Sequence, residues 1–189
     1  MEKEVGRFRA ELLSGLSGRV VEVGAGNGIN FAHYPDTVEE VIAVEPEPYL
    51  RRKAEVAANA ARVAVDVRPG VADALELADE SVDAAVASLV LCSVPDQDLA
   101  LAELRRVIRS GGELRFLEHV RSDHARKARV QATADRSGIW PLIGGGCHSA
   151  RNTLRAIERA GFELVQTRDL DVGPSWSITN PHVLGRAVR

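Results

Sequence analysis

The chain has 189 residues, of which 45% are hydrophobic and 27% are charged, and its formal net charge is −3. This length suits one domain with a substantial core, and the small charge gives no reason to expect nucleic acid or an anionic membrane as a partner. The longest apolar-to-small run, residues 84–94, is far shorter than the roughly 20 residues of a membrane-spanning helix.

The N-terminus and the cysteines indicate the compartment. The first residues are charged throughout and include no apolar signal-peptide core. Cys92 and Cys147 have no metal or disulfide spacing and suit a reducing cytoplasm; Cys92 is predicted to pack as a small hydrophobe and Cys147 to be the more exposed. We expect one cytoplasmic domain over residues 1–189, without a metal site or a membrane span.

Strand and helix patterns alternate along the chain. Strands are predicted at 19–23, 40–45, 67–72, 82–91, 111–120, 162–170 and 182–188, and helices at 49–61, 97–109, 123–138 (with Asp123 as N-cap) and 150–160. The alternation indicates an α/β fold with a Rossmann-like, seven-stranded, mostly parallel sheet and helices on both faces. The last two strands, with no helix between them, indicate an antiparallel C-terminal pair.

A glycine-rich turn follows the first predicted strand, in VVEVGAGNGIN at residues 20–30. Glycines alternate there with small or polar residues where a strand should lead into a helix. Missing Cβ atoms allow a tight turn and let a ligand approach the backbone. Taken alone, such a motif could equally be a turn that binds nothing.

Two carboxylates at the same predicted sheet edge suggest a nucleoside ligand. Glu45 ends the second strand, where it could accept hydrogen bonds from both hydroxyls of a ribose. Asp73 follows the third strand and could accept from the amine of an adenine, with the Ala74 amide donating to the ring. Either acid alone could be an ordinary surface charge.

The spacing around the turn separates two classes of cofactor. A nicotinamide-binding G-x-G-x-x-G motif would need glycine at the position of Ile29, and no Lys or Arg follows the turn before Arg51 to bind a pyrophosphate. Glu22 and Glu45 suit a cationic ligand with a ribose and an adenine, which is S-adenosylmethionine. An NAD(P)-dependent oxidoreductase and a non-catalytic binding module remain the alternatives.

Longer phrases of the sequence carry a family resemblance. VVEVGAGNG, LVLCSVPD and LRRVIRSGGELRFLEHV, with Glu45, Asp73 and the terminal strand pair, resemble the class I S-adenosylmethionine-dependent methyltransferases of the type 11 or UbiE-like kind. NFAHYP, LVLCSV, EHV, GGGCHSARNT and NPHVLGRAV are similar to the small thiol methyltransferases and their bacterial relatives. Relatives in that branch have a longer N-terminal segment, some with a membrane anchor, whereas residues 1–18 alone precede the first predicted strand here. What covers the active site is left open.

The resemblance implies a role for each matching residue. The methionine end of the cofactor would lie against Glu22, Gly24, Ala25, Gly26 and Gly28. Toward the adenosine end, Glu45 would hold the ribose, Pro46 would touch the adenine, and Asp73 and Ala74 would contact its edge. Leu89 would sit beside the cofactor and face the transfer position.

The predicted acceptor is a small molecule, apolar or thiol-bearing. Orientation alone can supply ~7–11 kcal/mol in a displacement, and a thiol is partly ionised near neutrality, whereas an oxygen acceptor usually needs a general base. His119 is the first candidate base and His148 the second, although a structural role is the commoner outcome for either. Trp140 and Trp176 would either wall an apolar pocket or serve ordinary packing. The oligomeric state is left open.

Overall fold

The computed structural model describes residues 2–189, which form seven strands, six α-helices and one 3-10 turn at Phe31–His33. The strands are β1 Gly18–Val23, β2 Val38–Val44, β3 Ala64–Arg68, β4 Val82–Ser88, β5 Ile108–His119, β6 Glu163–Asp171 and β7 Pro181–Val188. The helices are α1 Glu2–Leu13, α2 Pro48–Ala58, α3 Gln97–Val107, α4 Ala125–Arg136, α5 Ile139–Ile143 and α6 Thr153–Arg159. No helix in this part of the chain combines the length and the apolar character needed to cross a bilayer.

All seven strands belong to one sheet, in the order β3-β2-β1-β4-β5-β7-β6. Strands β1 to β5 pair in parallel, and β7 pairs antiparallel with both β5 and β6. The predicted fold class is confirmed, including the antiparallel C-terminal pair. Strand order reverses between β1 and β4, and in such sheets the ligand lies beyond the carboxyl ends of the strands at this switch.

The sheet is buried on both faces, as expected when crossover helices cover a parallel sheet. Successive residues of β1 point in opposite directions, so Val21 joins the core that contains Leu101 and Ile157 of α3 and α6. Val20 joins the other core, which contains Leu13 of α1. Predicted helices on both faces are therefore observed.

Several predicted boundaries are wrong, for local reasons. The third strand spans Ala64–Arg68 and not 67–72, because Pro69 and Gly70 follow it and interrupt a strand. The fourth ends at Ser88, since Leu89 has a φ of +59°, outside the β region. Asp123 is not an N-cap: α4 begins after His124, which makes no side-chain capping bond.

Two elements near the N-terminus were not predicted from the sequence. The segment described there only as charged forms helix α1, and Leu12, Leu13 and Leu16 anchor its end in the core. After the glycine turn the chain forms only the short 3-10 turn at Phe31–His33 before β2. The first crossover of the sheet, from β1 to β2, therefore has no α-helix of its own.

Candidate active site

The three glycines after β1 are not all required for the same structural reason. A Cβ atom on Gly24 would collide with Val90, and one on Gly28 would collide with Phe31, so packing alone requires glycine at both places. At Gly26 the nearest atom to an added Cβ would be the carbonyl oxygen of Gly24, 4.0 Å away. Gly26 has a φ of +59° and faces open space, which fits a ligand lying against the backbone.

The carboxylate of Glu45 is tied to the glycine turn. It is only 5% exposed. One oxygen accepts from the backbone N–H of Gly26 at 2.8 Å, and the other accepts from the N–H of Glu47 at 2.9 Å. Because each carboxylate oxygen has a further lone pair, Glu45 can accept two ribose hydroxyls without losing these bonds. Its fixed position at the end of β2 fits the predicted role.

A cavity of about 520 Å³ lies beside the ends of β2 and β3. Its lining is mostly apolar and includes Ile42, Val44, Val71, Leu75, and both Pro46 and Ala74. Asp73 is half-buried in the adjoining turn, where the Ala74 N–H donates to the Val71 carbonyl at 3.4 Å. The flat apolar face of an adenine would fit this cavity, with the polar edge of the base toward Asp73. Ala25, in contrast, is buried, and its N–H donates to Val44.

Glu22 lies buried behind the turn, and Arg9 of α1 reaches the same place. The Glu22 oxygens accept from Asn30 Nδ2 and the Tyr34 hydroxyl, both at 2.7 Å, and burial raises the pKa of Glu22 to about 7. Arg9 donates to Asn30 Oδ1 at 2.6 Å and to Ser88 Oγ at 3.2 Å. Burial lowers the pKa of Arg9, and the nearby Glu22 charge opposes that change. This cation could bind the carboxylate of a methionine, and sequence analysis missed it.

The loop after β4 is held by Glu118, the penultimate residue of β5. Leu89 is half-buried, and its N–H donates to the Leu117 carbonyl at 2.7 Å. The fully buried Glu118 carboxylate then accepts from the backbone N–H groups of residues 90, 91 and 92, at 3.0, 2.9 and 3.2 Å. Burial raises the pKa of Glu118 to about 8, against the effect of these three bonds. Glu118 is a positioning residue, and its sequence signal was the EHV phrase.

Stability is expected to depend on pH through Glu22. Its pKa rises from 4.5 to about 7 on folding, so the folded protein holds the proton more tightly than the unfolded chain. The resulting stabilisation is complete below pH 4.5 and is lost as pH rises through about 7. Urea unfolding across this window should show a shallower decline for Glu22→Gln than for the wild type. Glu118 titrates in both proteins and cancels in the comparison; identical slopes would contradict the assignment.

Cys92, His119 and Cys147 meet at the carboxyl ends of β4 and β5. The Nδ1 atom of His119 lies 3.3 Å from Cys147 Sγ and 3.8 Å from Cys92 Sγ. The neighbouring Cys147 side chain is the largest cause that raises the pKa of Cys92, to about 12, and the Cys92 side chain in turn lowers the pKa of Cys147. Both cysteines are buried, at 1% and 5% exposed, so Cys147 is not the exposed thiol that the sequence suggested.

Comparison with known proteins identifies the family. Residues 21–116 match a family model described as a methyltransferase domain. The mouse thiol S-methyltransferase TMT1B is 37% identical over 182 residues, covering 94% of this chain and 74% of that protein. The chain belongs to the S-adenosylmethionine-dependent methyltransferases. Human thiol S-methyltransferase TMT1A is 34% identical over 183 residues, which cover 93% of this chain and 73% of the human protein.

A solved methyltransferase structure has the same fold. Geranyl diphosphate methyltransferase in complex with S-adenosylmethionine has a TM-score of 0.75 at 17% identity, covering all of this chain and 85% of the other. The predicted enzyme class and cofactor are confirmed, and neither the oxidoreductase nor the non-catalytic module is favoured. The individual cofactor-binding residues remain predictions, which the open space at Gly26 and the fixed Glu45 carboxylate support.

The remaining candidate residues are His148, Trp140 and Trp176, which have different environments. His148 is half-buried, and its backbone N–H donates to the Cys92 carbonyl at 2.7 Å. Trp176 is 83% exposed, while Trp140 is half-buried near Cys147.

A second cavity, of about 780 Å³, is lined by His182 and by charged residues such as Asp123 and Lys127. Neither tryptophan walls it.

Proposed function

We propose that this methyltransferase transfers a methyl group to the sulfur of a small thiol. The observation that carries the proposal is 34–37% identity, over nearly the whole chain, to proteins named thiol S-methyltransferases. The geometry supports it. The phrases LVLCSV, EHV and GGGCHSARNT, which are distant in sequence, supply Cys92, His119 and Cys147 to one small cluster.

The cofactor-holding residues follow from the same geometry. Gly26 offers open backbone, Glu45 offers two carboxylate oxygens for the ribose, and Arg9 offers a cation for the methionine carboxylate. When bound, S-adenosylmethionine supplies an electrophilic methyl group. The chain holds the thiol sulfur in line and keeps water away, which is where most of the rate of such a displacement arises.

A dedicated base is not needed for a thiol acceptor. With the cofactor bound, the acceptor would lose its proton to solvent, and its sulfur would form the new bond to the methyl carbon as the sulfonium bond breaks, with S-adenosylhomocysteine as the second product. A thiol with an ordinary pKa is ionised to a few per cent at neutral pH. Nδ1 of His119 faces two cysteine sulfurs at 3.3 and 3.8 Å, so this imidazole is engaged with thiols, which fits an acceptor that needs no histidine base.

Acceptor preference is the direct test. A panel of small alkyl and aryl thiols, with phenols and amines of matched shape, is incubated with S-adenosylmethionine, and S-adenosylhomocysteine and methylated product are measured by mass spectrometry. We expect thioether from thiols only, with a rate that rises with pH as the thiolate fraction of each acceptor increases. Methylation of phenols or amines in preference to thiols would refute the proposed acceptor and favour general-base catalysis.

We further propose that residues 1–189 act as a single methyltransferase domain in the cytoplasm. The continuous sheet supports the single domain, and two unlinked thiols suit a reducing compartment.

A further inference from the structure

The cluster of Cys92, His119 and Cys147 has the composition of a metal site. Each residue offers one ligand atom, and the three atoms all lie within 4.8 Å of one another. We propose that these residues bind a zinc ion through two thiolates and one imidazole, leaving the fourth coordination position open. Thiolate and imidazole ligands together favour zinc among the common divalent ions.

The distances suit tetrahedral coordination. With Zn–S bonds of about 2.3 Å and Zn–N bonds of about 2.0–2.1 Å, a tetrahedral site separates sulfur from nitrogen by about 3.6 Å. The observed separations of 3.8 Å to Cys92 and 3.3 Å to Cys147 lie on either side of that value. The two sulfur-to-nitrogen separations would therefore change by only a few tenths of an ångström on zinc binding. The two sulfurs, which lie within 4.8 Å of each other, would have to come to about 3.8 Å, the separation set by two Zn–S bonds at a tetrahedral angle.

The scaffold fixes the ligands from outside the cluster. Glu118 holds the Cys92 loop through three backbone N–H bonds. The His148 N–H binds the Cys92 carbonyl at 2.7 Å, and Arg151 donates to the Leu91 carbonyl at 2.6 Å, so the Cys147 loop is fastened to the Cys92 loop. Preorganised outer contacts of this kind orient metal ligands and strengthen binding.

Charge and hydrogen bonding also fit a bound cation. Two thiolates and a neutral imidazole would neutralise Zn²⁺, which removes the cost of burying an unpaired charge. The indole Nε1 of Trp140 is buried with no hydrogen-bond partner in the described part of the chain. Because this N–H lies near Cys147, it could donate to the sulfur of that ligand.

The open position gives the site a role if the acceptor is a thiol, a step that rests on the proposed function. Sites with three protein ligands keep the fourth position for water or substrate. A thiol entering there would release its proton to solvent and bind zinc as thiolate. The same sulfur would then form the bond to the methyl carbon as the sulfonium bond breaks, and the thioether product would leave the metal.

Metal content tests the site independently of catalysis. The full chain, purified without chelators after growth with zinc, is analysed by inductively coupled plasma mass spectrometry together with Cys147→Ser, His119→Asn and the neighbouring control His148→Asn. We expect one zinc per chain in the wild type and in His148→Asn, and a loss of most of it in the other two. Cobalt-loaded wild type should show thiolate-to-cobalt charge-transfer absorption that Cys147→Ser weakens, provided that circular dichroism shows the variant folded.

Two results would overturn the zinc site. One is folded wild type without zinc that also fails to bind added Zn²⁺ or Co²⁺. The other is a Cys92–Cys147 disulfide in the purified protein, seen as a linked peptide and a mass lowered by two hydrogen atoms. Zinc bound without any thiol methylation would support the site and refute the proposed acceptor, whereas undiminished thiol methylation by protein stripped of its zinc would support the acceptor and refute a catalytic role for the metal.

Discussion

Gly26→Val is expected to abolish detectable binding of S-adenosylmethionine while the protein stays folded. An added Cβ at this position meets nothing within the chain closer than 4.0 Å, so the branched side chain would occupy the space where the cofactor meets the backbone. A loss of affinity of at least about 100-fold, which corresponds to ~2.7 kcal/mol, is expected by calorimetry.

Backbone strain in this variant needs a matched control. Gly26 has a φ of +59°, and valine in that region costs roughly 1–2 kcal/mol whatever surrounds it. Gly111 has a φ of +73° and also has nothing within 4 Å of an added Cβ, but it lies in β5 away from the carboxyl edge. Gly111→Val should lose similar stability and keep cofactor affinity. Normal binding by folded Gly26→Val would show that the turn does not contact the cofactor.

The sequence predicted the sheet and the cofactor edge because their signals are local. A β-branched run ending in glycine marks β1, and an acid followed by Pro46 and Pro48 marks the end of β2. Once the alternation of strands and helices indicates a parallel sheet, the carboxyl ends must share one edge, so Gly26, Glu45 and Asp73 could be grouped without coordinates.

The remaining parts of the site depend on long-range contacts with no local signal. Arg9 reaches Asn30 and Ser88 only because leucines at the end of α1 pack under the sheet. The residues after the glycine turn include no cation before Arg51, and nothing in the local sequence indicates that a cation arrives from the preceding helix. Metal-binding motifs are likewise recognised by short spacings, which Cys92 and Cys147, on separate loops, do not have.

The loop that follows β4 links the cofactor edge to the sulfur cluster. Leu89 adopts a φ of +59°, a conformation costly for a residue with a Cβ, and the next three amides bind the buried Glu118 carboxylate. The turn therefore brings Cys92 to 3.8 Å from Nδ1 of His119, and the role of Leu89 at the transfer position remains a prediction. Strand propensity alone predicted that β4 would continue through Leu91. The local sequence could not show that the strand ends earlier, because Glu118, the buried acid that binds these amides, lies on β5.

Glu45→Ala is expected to weaken binding of S-adenosylmethionine more than tenfold, and Glu45→Gln by about tenfold. Hydrogen bonds to a charged acceptor are each worth roughly 1.5–3 kcal/mol, and 1.4 kcal/mol corresponds to a factor of ten. Glutamine keeps one acceptor oxygen but turns an NH₂ group toward a backbone N–H of Gly26 or Glu47, while alanine releases both amides and both ribose hydroxyls.

The ligand pair and a matched variant make this test specific for the ribose. S-adenosylmethionine and S-adenosylhomocysteine carry the same ribose, so loss of Glu45 should weaken both equally, whereas a change near the sulfonium would separate them. Glu40→Gln, on the same strand, removes only a half-exposed pair with Arg19 at 2.7 Å, and exposed pairs contribute little. It should keep wild-type affinity for both ligands. Equal calorimetric affinity of folded Glu45→Ala and wild type would exclude Glu45 from the cofactor site, and the glycine turn alone would then be insufficient evidence for it.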